Sequence, residues 1–363
     1  MASAAVALYS DEDKSVLFSA QVQATGSRDK SENFDFDDDW VMSSNETWIN
    51  FDLRHDINEK IGAFAVFEWQ LDPFIYSTDI DGTEKSNLFE NRLGYVGVTG
   101  DVFGSLTFGK QWSSTYQLLG MTDKLYVAKP DASAIYQIYD GGVNGNGRLD
   151  QGIIYQNDYS GLSFAVQYGD EVPLTTGLVR SDNWGGMMAY HFDFGLIMGA
   201  AYSKSTLASD PDEAAGTAYY GLQGGDEITT ANISFSFQSE KVYIGLNLVD
   251  GTNAHVNAYA GEFSLSNGPL LADAQGGDIY LDYKFDNLLQ PYAYYSYLKF
   301  EDQQLSTTYL ISGARQMMAG GLLFNMSEHL SFGLEYRHHE LERHNYTSQG
   351  SANTLALQLQ YLL

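Results

Sequence analysis

An antiparallel, up-and-down transmembrane β-barrel of sixteen strands is the fold this sequence predicts, and three observations predict it. Segments that alternate apolar and polar residues recur from one end of the chain to the other, about sixteen of them. The connections between them are short and long in turn, as in outer-membrane barrels. The polar side of the segments carries Glu, Gln, Asn and Arg beside Gly and Ser, a set that cannot form a dry core because charges buried there would lack partners. An apolar outside around a polar inside fits a barrel in lipid with a water-filled lumen. A soluble sandwich would instead need a filled interior and Greek-key crossings.

The strands follow in order at 14–26, 43–55, 60–72, 89–99, 104–112, 150–158, 162–170 and 184–193. The second half supplies 195–205, 227–238, 241–250, 276–286, 289–300, 314–325, 329–338 and 353–363. "VYIGLNL" sets Val242, Ile244, Leu246 and Leu248 against Tyr243, Gly245 and Asn247, and "IYLDYKF" sets Ile279, Leu281, Tyr283 and Phe285 against Tyr280, Asp282 and Lys284. "LSFAVQY", "LSFGLEY" and the final "LALQLQYLL" repeat the pattern, each a strand with one apolar face. Turn-like links such as Tyr159-Ser160-Gly161 and Ser239-Glu240 alternate with long connections at 73–88, 113–149, 206–226 and 251–275. Trp40, Trp48, Trp69, Trp112 and Trp184 lie near strand ends, where interfacial girdles would place them.

Composition narrows the function. The chain has 363 residues, no Cys and a formal charge of −28, from 47 acids against 19 bases. Nucleic-acid binders need a basic face, so nucleic acid is not a partner, whereas cations are favoured. No run of 18 apolar residues exists, which excludes a transmembrane helix. The mean hydropathy of −0.26 suits a barrel whose strands meet lipid only at every second residue. Residues 1–13 read as an N-terminal remnant or extension, since Ala2, Ala4, Ala5 and Ala7 could be the small-residue tail of a signal peptide. Residues 14–363 then form a single barrel domain.

One stretch breaks the alternation. "QLLGMTDKLYVAKPD" (117–131) has Leu118, Leu119, Leu125 and Val127, too apolar for an ordinary loop, and Asp123, Lys124, Lys129 and Asp131, too charged for a core. Just before it, "NRLGYVGVTGDVFGSLTFGKQW" (91–112) resembles the fourth and fifth strands of the general porins of Gram-negative outer membranes. "LGMTDKL" is similar to the start of that family's third loop, and "GRLDQGIIYQNDYSGLSFAVQYGDE" is similar to the two strands that follow it. These motifs cover about 80 residues in family order, with vibrio-type and marine porins nearest.

The resemblance implies a homotrimer of 16-stranded barrels in the outer membrane, in contact with lipid and lipopolysaccharide. It also implies a third loop (about 113–149) folded inward to make a constriction. Arg92 and Arg148 would then stand on a basic wall, with Lys110 a further member where the family usually has Arg, and Asp123 and Asp131 would stand on the acidic loop. Glu68, in "VFEW", matches a lumenal Glu of the third strand. Arg54 also points inward by alternation, near a short turn. The chain departs from the family at 126–130, where "YVAKP" replaces a stretch bearing an acid, and at Ala20, where the family often has a lumenal Lys. Loop 73–88 would be the latch onto a neighbouring subunit.

Other features carry less. Asp35, Asp37, Asp38 and Asp39 form a dense acidic run, by default a solvated loop, with divalent cations bridging to lipopolysaccharide phosphate as the alternative. Asp123 could cap a short helix. His338, His339 and His344 stand at a spacing one residue too long for the zinc-protease pattern. No nucleophile elbow, phosphate loop or nucleotide fingerprint occurs, so no catalytic residue and no cofactor is expected. The expected function is passive diffusion of small hydrophilic solutes and ions, with a modest preference for cations. A sugar-specific porin is the alternative, suggested by "YAYYSY" (292–297), and an outer-membrane adhesin or enzyme is a more distant one.

Overall fold

The computed structural model describes residues 5–31, 40–44, 46–73, 89–174, 177–209, 222–256, 271–304, 310–342 and 350–363. Sixteen strands form the wall. The first eight are β1 (Lys14–Ser31), β2 (Trp48–Asn58), β3 (Ile61–Leu71), β4 (Phe89–Gly100), β5 (Gly104–Trp112), β6 (Arg148–Tyr159), β7 (Leu162–Gly169) and β8 (Leu178–His191). The second eight are β9 (Leu196–Ser209), β10 (Glu227–Gln238), β11 (Val242–Val256), β12 (Leu271–Tyr283), β13 (Leu289–Gln304), β14 (Leu310–Asn325), β15 (Leu330–Glu342) and β16 (Gly350–Leu362). Each pairs antiparallel with its neighbours in sequence, and β16 pairs with β1 from Ala352↔Ser31 to Leu362↔Gln21, so the sheet closes on itself.

Closure answers a requirement of the backbone. In hydrocarbon every N–H and C=O needs an internal partner, and a closed sheet leaves no edge. The side chains sort accordingly. Ile279, Leu281, Phe332, Leu334, Leu357 and Leu359 are exposed on the outside, while Asp278, Glu335, Asn247 and Gln358, alternating with such residues, are buried on the inside. An exposed apolar stripe on strand after strand is costly in water and is the match required in lipid.

Short turns all lie at one end. Between β6 and β7 a two-residue turn joins Tyr159 to Leu162, with positive φ at both Ser160 (53°) and Gly161 (85°). That pair of left-handed residues gives the turn a twist matching the flanking strands.

Several strands run farther than the sequence reading, among them β1 to Ser31, β8 from Leu178, β11 to Val256 and β12 from Leu271, and three further details differ. Residues 6–10, taken as part of a loose N-terminal extension, form a short strand on β1, with Val6 opposite Phe18. It continues along the edge of β1 that β16 leaves free, just beyond the point where Leu363 and Ala20 exchange two backbone hydrogen bonds of 2.8 and 3.0 Å. The single strand expected at 43–55 is interrupted at 44–47, between a short strand Val41–Ser43 and β2, so Glu46 stands on a ledge. Ala20, matched to a lumenal Lys, pairs with Ile49 on the outer face, and its neighbours Ser19 and Gln21 are the ones that face inward.

This two-faced wall makes a simple prediction. Ile279→Arg, on the outer face of β12, should cost about 2–4 kcal/mol of folding free energy in lipid, well above the cost of Gln360→Arg on the lumenal side of β16, where the new charge meets water. Heat-modified gel mobility after refolding into liposomes measures the difference, and equal tolerance of both changes would contradict the assignment of faces.

Candidate functional site

Between β5 and β6 the chain leaves the wall at Trp112 and returns at Arg148. The intervening segment touches inward-facing side chains of successive strands from β6 to β15, which it can do only from inside the barrel. It opens with one helical turn, α1 (Tyr116–Leu119), whose Leu118 and Leu119 are buried. Leu118 packs on Ile154, Met187 and Ala201, and it occupies the space where a Cβ on Gly199 would come within 2.8 Å. Asn247 donates to the Leu119 carbonyl (2.7 Å) and to Thr122 (2.8 Å), and Tyr243 donates to the Met121 carbonyl (2.7 Å). The apolar half of "QLLGMTDKL" is therefore the half that seats the loop.

Irregular backbone inside a membrane barrel must find partners for its own N–H groups. Two wall carboxylates provide them. Glu335 of β15 accepts from the backbone N–H of Val127 (3.2 Å) and Ala128 (2.9 Å), and from the Tyr292 hydroxyl (2.6 Å). Asp278 of β12 accepts from the backbone of Ala132 (3.0 Å) and Ser133 (2.8 Å). Tyr126 lies flat where Gly333 lacks a side chain and bonds Ser331 at 2.5 Å. Asp131 meets Arg315 of β14 in a two-pronged pair of 2.7 and 2.8 Å. His255 donates from Nε2 to the Ala132 carbonyl at 2.9 Å. On the return, after a second turn α2 (Gln137–Asp140), Arg180 of β8 donates to the carbonyls of Gly142 and of Asp170 (2.6 Å).

The remaining charges face the open part of the lumen. Arg92 is the extra residue of a bulge opposite Glu68 and Trp69, and it pairs with Glu68 (2.8 Å) and Glu46 (3.3 Å). Lys129 of the loop pairs with the same Glu46 and lies 4.2 Å from the centroid of the Tyr136 ring. Arg148 pairs with Asp140 and stacks over Trp112 at 4.5 Å, and Trp112 in turn stacks on Tyr116 at 3.9 Å. Lys110 pairs with Asp150 (3.0 Å), and Arg54 with Asp52 (2.7 Å) toward the short-turn end. Asp123 accepts from the hydroxyls of Tyr116 (2.9 Å) and Tyr136 (2.5 Å). Burial, and then the Asp123 charge, push both phenols above their ordinary range, so they stay donors. Burial raises the Glu46 carboxyl, but the charges of Lys129 and Arg92 outweigh it and hold the group below its usual value.

Thus the seven residues named from sequence lie in or beside the lumen but do not oppose one another as acid loop against basic wall. Asp131 is engaged by Arg315, Asp123 by two tyrosines, and Arg92 and Arg148 by Glu46, Glu68 and Asp140. A cavity of about 610 Å³ beside the loop is lined by Glu46, Glu90, Asp140 and Asp150 and by Lys110, Lys129, Arg148 and Arg180. Four acids meet four bases there, so the chain's formal −28 lies elsewhere. Asp123 does not begin a helix: α1 lies before it, after Thr115. Trp112 belongs to this inner stack and not to an interfacial girdle. His338 and His339 alternate along β15, and His338 bonds Asn353 at 2.8 Å. His344, Asp35, Asp37, Asp38, Asp39 and most of loop 73–88 lie outside the described residues.

Sequence reasoning passed over Glu46, Asp278, Arg315 and Glu335. Asp278 and Glu335 stand on the polar faces of alternating strands, whereas Arg315 shares its face with Met317, Ala319 and Leu323; nothing local names the partners of the three, which lie 145–208 residues away.

A sequence model of the Gram-negative porin family matches residues 1–363. Outer membrane porin C of Salmonella typhimurium is 23% identical over 346 residues, covering 88% of this chain and 85% of the relative. Outer membrane porin F of Xenorhabdus nematophila is 23% identical over 349 residues, covering 92% and 87%. Among solved structures, Salmonella typhi OmpF in complex with daunomycin superposes with a TM-score of 0.78 at 18% identity, over 99% of this chain and all (100%) of the other. OmpT of Vibrio cholerae gives 0.66 at 15% identity, over 99% and 100%.

The loop anchor is open to test. Glu335→Ala would strand two backbone donors and one phenol in a dry wall, at about 1–3 kcal/mol for each group left unsatisfied. The tip at 126–128 should come free, seen as added open-channel noise and a lower thermal midpoint, with Glu335→Gln milder. Quiet channels of wild-type stability would show that Glu335 does not hold the loop.

Proposed function

The chain belongs to the Gram-negative porin family, and from that premise we propose that it is a general diffusion porin of the outer membrane, passing small hydrophilic solutes and ions passively as a homotrimer. The observation that carries this reading is the loop bonded across the inner wall, with paired charges left on its open side. A fixed loop of this kind narrows a water-filled lumen, so passage is limited first by size and then by the charges at the narrowing. Arg92, Arg148, Lys110 and Arg54 are the basic members of that filter, and Asp123, Asp131 and Glu68 the acidic ones named from sequence. The role is that of a channel with no catalytic step.

The modest cation preference rests on the approaches more than on the narrowing. At the short-turn end a cavity of about 920 Å³ is lined by Glu12, Asp13, Asp56, Glu59 and Asp101, with Lys60 and His55 among them. An anionic mouth raises the local concentration of cations. A sugar slide finds no support: Tyr292 and Tyr294 are 5% and 3% exposed, sealed beneath the loop. Assembly as a trimer has a parallel in a solved trimer form of Vibrio cholerae OmpT.

Planar-bilayer recording tests the proposal. Conductance closing in three equal steps is expected, with a reversal potential of cation sign across a KCl gradient; anion preference, or no conductance, would sink it. Replacing Arg92 and Arg148 together by Ala should shift the reversal potential further toward the cation limit. An unshifted potential would remove both from the ion path.

A further inference from the structure

We infer that Lys129 is a further specificity-determining residue of this channel, one that sets how strongly the narrowing itself favours cations: its side chain is a strut from the loop tip to Glu46 that masks an otherwise anionic wall. The inference deepens the porin reading and rests on it.

Four groups form an unbroken chain of alternating charge. Lys129 pairs with Glu46, Glu46 with Arg92 (3.3 Å), and Arg92 with Glu68 (2.8 Å). Asn50 closes the row by donating to Glu68 at 3.2 Å. Only the first link joins the loop to the wall, and only there are both partners open to water, at 38% and 25% side-chain exposure. The Arg92 side chain, at 8%, is part of the wall itself. The chain on both sides of Lys129 is held, by Glu335 at the backbone of Val127 and Ala128, by the Tyr294 hydroxyl at the backbone N–H of Asp131 (2.8 Å) and by Arg315 at the Asp131 side chain. The tip therefore has no need of the Lys129–Glu46 pair for its position, and a partly exposed pair adds little stability.

Its consequence is electrostatic. With Lys129 in place the four groups sum to zero; without it the wall keeps two acids, Glu46 and Glu68, against one base, Arg92. The strut also spans the gap between the loop tip and the ledge that precedes β2, so it occupies lumen that ions would otherwise use. Being in water, it is screened by salt over a distance of about 10 Å at 0.1 M and 3 Å at 1 M.

Two variants and their combination test this in planar bilayers, with KCl as the only permeant salt. Lys129→Met should raise the cation-over-anion permeability ratio about two- to threefold in 0.1 M KCl, as expected for one unit charge within a Debye length, and less in 1 M KCl. Glu46→Gln should lower the ratio. The double variant again has no net change in charge, so its ratio should return close to wild type while its conductance exceeds wild type, because the strut is gone. Selectivity then follows charge and conductance follows the strut. If the wild type conducts and Lys129→Met leaves both ratio and conductance unchanged, this inference is overturned and the porin reading stands. If the wild type fails to conduct, the porin reading falls, and this inference with it.

Discussion

Every part of this structure depends on one constraint, that a backbone N–H or C=O shut off from water, by lipid or by packed protein, must find a partner in the chain. The constraint acts twice. In the wall it requires a closed antiparallel sheet, and the pairing of β16 with β1 supplies the closure. In the lumen it acts on a segment that is neither strand nor long helix. There the backbone N–H groups of Val127, Ala128, Ala132 and Ser133 turn to carboxylates that the wall presents.

That second use changes what the charges are for. Glu335 and Asp278 are buried acids, and an acid alone in such a place would be costly. Each instead accepts two backbone N–H groups and a tyrosine hydroxyl, so the charge becomes the means of fixing a loop. The acids and bases that remain on the open side pair locally, Arg148 with Asp140, Lys110 with Asp150, Arg92 with Glu46 and Glu68. The charges at the narrowing are then a mosaic of close pairs, while acids without as many bases gather in the cavity at the short-turn end. The chain's departure from its family at 126–130 makes sense in these terms. Where an acid is absent at Val127 the backbone itself is used, and the arriving Lys129 reaches the one ledge acid facing it.

The alternating segments stated the fold openly, because a period of two with an apolar outer face has few other uses at this length. Most of β16 and the first part of β11 were readable as strands without any partner in view, although β11 runs on to Val256 through residues read as loop. The polar faces of such segments also carry Glu335 and Asp278, whereas Arg315 shares its face of β14 with Met317, Ala319 and Leu323 and was not marked by the pattern. The motif match was less reliable than the alternation: it set Ala20 at a lumenal position, whereas Phe18, Ala20 and Val22 share the outer face and Ser19, Gln21 and Gln23 the inner one. Nor could the ledge at 44–47 be seen, since a strand broken by a few residues still reads as one run.

The sequence by itself determined the barrel, the face of each strong strand, the place of the irregular loop and the family to which all of it is similar. It did so because side-chain periodicity and motif order are local properties of the chain. Only the tertiary structure decided who pairs with whom across the lumen. Asp131 with Arg315, and Lys129 with Glu46, are contacts between segments 184 and 83 residues apart. Such pairs exist because closure brings distant strands round to face one another, and no local pattern encodes which of several inward charges will stand opposite the loop.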